Sequence, residues 1–302
     1  MKYSARHLDE AEYIEVAENY YARLSEWSSM TWDARNLDFC RCVSKRRKGL
    51  LFTGQSACAA LGIPRTDPFT IWPHCISEIR KPVDVIRWNH GMWDHNAAVV
   101  GGLLFASPAR VICDLAKADS PESLLVSINH CLYKKMFTKA RLLREIEKQP
   151  GNMRGKKLLR RLLRFATPNC ESPLETLAWI AIYKAGFVMP QQQFGIRGDY
   201  GFFARTDMLW KLPGGKELIL ELDGLLKYEK EGSLKAEKVR EHELRKMGYD
   251  VIRTTWNDVV HGELEPLLME YKVPRRRDFI GTFPKRRTLR QSNHLSGEND
   301  GY

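Results

Sequence analysis

Residues 202–223 restrict the fold more than any other stretch. FFARTDMLW and KELILELDG are two apolar, strand-like runs separated by KLPGG, whose Pro213, Gly214 and Gly215 are strong turn residues. They predict a β-hairpin. With the turn centred on Gly214, Asp207 and Glu221 become cross-strand partners, their Cβ atoms about 4.5–5.5 Å apart. Side chains alternate along a strand, so Asp223 shares a face with Glu221 while Leu220 and Leu222 point the other way. Like charges this close need a cation between them. Oxygen ligands with few histidines or thiols nearby suit Mg²⁺ or Mn²⁺ better than zinc. The bland alternative is an exposed hairpin face whose acids pair with Arg205 or Lys227.

Around this hairpin the pattern reads helix (173–186), strand (190–197), the two hairpin strands, helix (234–247), strand (249–254) and helix (257–271). That order predicts an α/β domain with a central sheet flanked by helices. Ser172, Pro173 and Glu175 fit a capping box at the start of its first helix. Glu175 is therefore a cap or a fourth member of the acidic site. The polar segment ATPNCESP (166–173) marks the joint with what precedes.

Upstream, DEAEYIEVAENYYARLSEW (9–27) places Tyr13, Val16, Ala17, Tyr20 and Leu24 at helical spacings, predicting a helical segment over residues 1–50. Residues 51–168 predict a mixed, helix-rich α/β region, with a helix opening at Pro108 and further helices near 121–133, 138–149 and 154–165. In the last of these, Lys156, Lys157, Arg160, Arg161 and Arg164 lie opposite a leucine-rich face. This is either a solvated helix face or a phosphate-contacting one. From Val273 onward a run rich in arginine and without periodicity predicts a basic, flexible tail (273–302).

The chain carries 48 Lys+Arg against 37 Asp+Glu, a net charge of +11, which favours a polyanionic partner. No apolar stretch approaches the roughly 20 residues of a membrane span, and the charged N-terminus is unlike a signal peptide, so a cytoplasmic protein is expected, with no membrane partner. Seven scattered cysteines predict buried, reduced thiols. His90 and His95, five apart between Trp88 and Trp93, lack the further ligands of a metal site. The absence of a Walker loop or dinucleotide fingerprint argues against a nucleotide cofactor.

SPLETL, ARTDMLW, LILELDGLLKY and AEKVREHELRKMGYDVIRTTW together resemble the very-short-patch-repair-endonuclease-like branch of the PD-(D/E)xK nuclease superfamily, over residues 171–260. The resemblance implies a restriction-endonuclease-like mixed sheet and a Mg²⁺- or Mn²⁺-dependent DNA endonuclease, with Asp207 and Glu221 as metal ligands, completed by Asp223. The signature lysine would stand two residues after Glu221, where this chain has Asp223. Lys227 is the expected substitute, with Lys238 and Arg240 as alternatives on the next helix. The same departure implies a second possibility, a DNA-binding regulator whose nuclease fold no longer cuts. LLFTGQSACAALGIP, ASPARVICDLAK and SINHCLYKKMFTKARLLREI resemble the middle region of AbiEi-type antitoxin-like bacterial proteins. That implies DNA as a partner and leaves a toxin or a second copy of the chain as further ones.

Overall fold

The computed structural model describes residues 12–17, 19–47, 49–68, 73–77, 87–90, 94, 96–198, 201, 203–224, 231–277 and 282–285. Lys227, Trp93 and His95 lie outside the described residues. The described residues begin with an antiparallel hairpin of β1 (Tyr13–Ala17) and β2 (Tyr20–Arg23), followed by α1 (Leu24–Ser29) and α2 (Trp32–Arg46). The hairpin replaces the helix expected over 9–27. Tyrosines and β-branched residues at these positions suit a strand as well as a helix, and Asn19 adopts φ 63°, a left-handed turn that Asn tolerates. Tyr20 then lies buried, its ring centroid 4.8 Å from that of Phe39 on α2.

The next strands are β3 (Leu51–Phe52), β4 (His74–Ser77), β5 (Arg87–His90), β6 (Ala98–Val100) and β7 (Leu103–Phe105). They form a five-stranded sheet in the order β5-β4-β3-β7-β6. Helices α3 (Gly54–Leu61), α4 (Pro108–Leu115), α5 (Pro121–Tyr133), α6 (Lys139–Lys148) and α7 (Lys156–Leu162) complete this unit. Phe39, Phe52, Phe105, Leu125, Ile128 and Leu159 are among its fully enclosed side chains, each contributing about 1.5–3 kcal/mol by burial. Pro108 does open α4, and Ser120 and Thr138 cap α5 and α6 by accepting main-chain amides. Gly155, at φ 91°, precedes α7 where any Cβ would collide with the Ala116 carbonyl.

The second unit runs α8 (Pro173–Lys184), β8 (Gln191–Arg197), β9 (Phe203–Lys211), β10 (Glu217–Asp223), α9 (Glu231–Lys246), β11 (Tyr249–Thr255), α10 (Trp256–His261) and α11 (Leu264–Glu270). Its sheet order is β11-β10-β9-β8. β8, β9 and β10 are antiparallel neighbours, whereas β10 and β11 are parallel and need the α9 crossover between them. This is a mixed sheet flanked by helices, and the whole molecule is of mixed α/β class. Met208, Trp210, Leu218 and Leu220 pack toward α8 and α11, while Leu209, Ile219 and Val251 pack with Leu244 of α9. The helix expected over 257–271 is divided at Gly262, which ends α10 at φ 86°.

Helix α8 touches both cores: Ile180 belongs to the first, Leu174, Ala178 and Ile182 to the second. Asn129 of α5 ties the joint, donating to Thr176 Oγ1 at 3.2 Å and accepting from the Thr167 amide at 2.8 Å. The described parts of the basic tail are anchored at four residues. Val273 is buried in the second core, and Phe283 is buried against Phe165 with Lys184 over its ring. Arg275 donates to the Ala185 carbonyl and Arg276 to that of Tyr183, at the α8 C-terminus where unpaired carbonyls attract cations. For residues 273–277 and 282–285 of the expected flexible tail (273–302), Val273 and Phe283 are apolar anchors in a run that composition alone marks as solvated.

Candidate active site

The hairpin forms in the expected register. β9 and β10 pair from Lys211–Glu217 to Met208–Leu220 around the Pro213–Gly215 turn, so the next rung sets Asp207 opposite Glu221. There the backbone ladder gives way to a side chain: Asp207 Oδ2 accepts the Leu222 amide at 2.8 Å. Glu221 is buried, and its Oε1 has no hydrogen-bond partner. A buried carboxylate oxygen left in that state is costly, by about 1–3 kcal/mol or more. Burial, and then the charge of Asp207, push the Glu221 carboxyl above its ordinary range despite the opposing pull of Arg240.

Glu175 enters from α8. Ser172 caps this helix by accepting the Glu175 amide at 3.2 Å, as the motif predicts. The Glu175 side chain, however, does not close the box on Ser172. Its Oε2 accepts the Glu171 amide at 3.0 Å and Gln193 Nε2 at 2.9 Å. Burial, and less strongly the charge of Asp207, raise the Glu175 carboxyl too. Glu175, Asp207 and Glu221 thus line one cleft of about 1050 Å³, together with Arg205, Arg240, Gln193 and Trp256. Tyr133 and Lys134, at the end of α5, bring the first unit into its wall. Tyr133 donates to Glu171 Oε2 at 3.2 Å, and Arg205 pairs with the same oxygen at 2.9 Å.

Asp223 does not join this group. Arg253, on parallel β11, stands 3.4 Å from Asp223 Oδ2 and also pairs with Glu237 and Glu241 of α9. Glu221 is instead matched by Arg240, at 2.9 Å from Oε2, and Arg240 also reaches toward Glu237 at 3.7 Å. Each acid of the Glu221–Asp223 pair thus makes its ion pair with a different arginine, with Glu237 between the two, while Arg253 also acts on Glu221 through its charge. Among the described residues no three His, Cys, Asp or Glu side chains stand close enough to share one ion. The expected shell of Asp207, Glu221 and Asp223 is corrected accordingly. Asp207 and Glu221 converge, and their hard oxygen chemistry and the partnerless Glu221 oxygen suit a divalent cation.

The basic helix divides in the same way. Lys156 is buried, donating to the carbonyls of Glu147 at 3.1 Å and Gln149 at 2.5 Å at the end of α6. It is not on an exposed basic face, because its aliphatic stem packs inward at the first turn of α7. Arg160 forms a two-pronged pair with Glu147 at 2.7 and 2.5 Å. Lys157, Arg161 and Arg164 are exposed, and none of the five lines the cleft. Lys238 is exposed on α9.

Gln193, Glu171, Tyr133 and Arg253 complete the surroundings of the site, and sequence reasoning did not nominate them. Gln193 sits inside β8 at φ 54°, a left-handed conformation that costs about 1 kcal/mol or more and carries no pattern in the sequence QQQ.

Comparison with known proteins gives two relatives from Mycobacterium tuberculosis, "Uncharacterized protein MT2308" of strain CDC 1551 / Oshkosh and "Uncharacterized protein Rv2248" of strain H37Rv. Each is 24% identical over 160 residues, 53% of this chain and 58% of the relative's own length. The chain thus spans little more than half of the curated relatives it matches. No family model matches it, and no solved structure does. Among the described residues no helix is long and apolar enough to cross a membrane.

Proposed function

We propose that the protein is a Mg²⁺- or Mn²⁺-dependent DNA endonuclease whose ion is held by Asp207 and Glu221. One observation carries this reading: carboxylates from β9, β10 and the first turn of α8 line a single cleft, where Glu221 keeps a buried oxygen without a partner. A divalent cation at such a site supplies an activated water and stabilises charge on a phosphoryl oxygen. The remaining residues act on the protein's side of the reaction. The Leu222 amide fixes the Asp207 carboxylate, Gln193 and the Glu171 amide fix Glu175, and Arg205 and Arg240 offer guanidinium groups to phosphate. The element order α8-β8-β9-β10-α9-β11 supports the likeness to PD-(D/E)xK nucleases drawn from the motifs. Lys227, six residues beyond Glu221 in the sequence, is the proposed substitute for the signature lysine, a cation to stabilise the attacking hydroxide or the phosphorane-like charge.

A second reading, a DNA-binding regulator with an inactive nuclease fold, is favoured by Asp223, which stands where the resemblance expects lysine and pairs with Arg253. Incubation of full-length protein with supercoiled plasmid and Mg²⁺ or Mn²⁺ separates the two. The nuclease reading expects nicking that Asp207→Asn abolishes while DNA binding stays equal or tightens, an anionic group having been removed. Wild-type protein that binds DNA, nicks no DNA form with either ion and shows no metal-induced thermal shift leaves the regulator.

A further inference from the structure

Arg240 stands where a metal would compete with it. Its guanidinium lies 2.9 Å from Glu221 Oε2, and its second nitrogen donates to the Arg205 carbonyl at 3.2 Å. The arginine is half-buried on α9, with Glu237 at 3.7 Å as a second anionic neighbour. A divalent ion and a guanidinium on one carboxylate repel each other, so the site can be filled by either cation more easily than by both. We propose that Arg240 is a displaceable counter-ion: it neutralises Glu221 in the metal-free protein, gives way when the ion binds, and then meets the phosphate of the incoming DNA.

This rests on the nuclease reading of the cleft and adds an energetic consequence to it. Metal must first displace Arg240, which weakens intrinsic metal affinity. DNA phosphate attracts the same guanidinium, so DNA and metal each favour the other's binding, and by linkage the coupling is reciprocal. Arg253 provides the internal comparison. It carries the same charge on the same sheet face but makes its ion pairs with Asp223, Glu237 and Glu241, and it acts on Glu221 less strongly than Arg240 does.

The test is calorimetric titration of Mn²⁺ into full-length wild type, Arg240→Gln and Arg253→Gln, each with a thermal melt to establish folding. Arg240→Gln is expected to bind Mn²⁺ about tenfold more tightly than wild type, and Arg253→Gln to change less. A DNA oligonucleotide should raise the Mn²⁺ affinity of wild type and raise that of Arg240→Gln by a smaller factor. Arg240→Lys, retaining the charge on a different head group, should stay near wild type. Equal or weaker Mn²⁺ binding by a folded Arg240→Gln, with wild type still binding, overturns the counter-ion role and leaves the nuclease reading standing. Absence of Mn²⁺ binding in both overturns the two together.

Discussion

Arg240 and Glu221, on α9 and β10, form an ion pair of 2.9 Å inside the cleft that also holds Asp207 and Glu175. Two acids two positions apart on a strand demand compensation, and the fold supplies it from two directions. α9 delivers Arg240 to Glu221, and parallel β11 delivers Arg253 to Asp223. The acids thereby differ in kind: Glu221 faces the cleft with an unpartnered oxygen, whereas Asp223 belongs to a structural network.

Truncation after Lys272 should destabilise the protein rather than merely weaken DNA binding. It removes Val273 from the second core and Phe283 from its place beside Phe165. Phe283→Ala alone should cost about 3 kcal/mol in urea unfolding, since the ring is almost fully buried. A change below about 0.5 kcal/mol would return this segment to the status of a loose tail.

Much of the second unit was legible in the sequence because Pro213, Gly214 and Gly215 fix one turn, and the turn fixes which acids face each other. What stayed hidden depends on distant partners. Asp223 meets Arg253 across 30 residues and a crossover helix, a pairing that no local spacing encodes. Phe283 stands in a short apolar island, FIGTF, between arginine-rich runs, and nothing in that spacing names Phe165 as its partner. The helical spacing of Tyr13, Val16 and Tyr20 misled because a tight hairpin reuses the same residues on two strands. The strain at Gln193 has no sequence signature of any kind.

Gln193 should respond unusually to substitution. Gln193→Gly relieves the left-handed backbone, whereas Gln193→Ala retains the strain and loses the same hydrogen bond to Glu175. The glycine variant should therefore be the more stable of the two, by about 1 kcal/mol in denaturant melts. In both variants Glu175 Oε2 keeps only the Glu171 amide. An alanine variant as stable as the glycine one contradicts the strain.

The basic face of α7 should split by residue. Lys157→Ala and Arg161→Ala, at exposed positions, should each flatten the salt dependence of DNA binding by about 0.9 in log–log slope if they contact phosphate. Lys156→Ala should leave that slope unchanged and instead lower stability by about 1–3 kcal/mol, because its ammonium serves two carbonyls at the end of α6. A salt slope altered by Lys156→Ala would place that ammonium at the DNA.

Asp94 sets an acid-side dependence unconnected with the cleft. Burial raises its carboxyl, but hydrogen bonds from Ser107 at 2.7 Å and Asn96 at 2.9 Å outweigh it and hold the group below its ordinary value of 3.8. A depressed folded-state value means that its stabilisation is complete above 3.8 and is lost as pH falls through the lower folded value. Asp94→Asn should accordingly be less stable than wild type at pH 7 by about 1–2 kcal/mol, with the gap narrowing only below the ordinary value. Parallel stability curves for the two proteins down to the acid transition would contradict this assignment.

The most direct test of the whole account is a crystal of the full-length protein soaked in Mn²⁺ and measured for anomalous scattering. The account predicts a manganese peak bound by Asp207 and Glu221, with the Arg240 guanidinium withdrawn from Glu221. A peak bound elsewhere, or Arg240 still paired with Glu221 and no manganese beside Asp207 at saturating concentration, would contradict it.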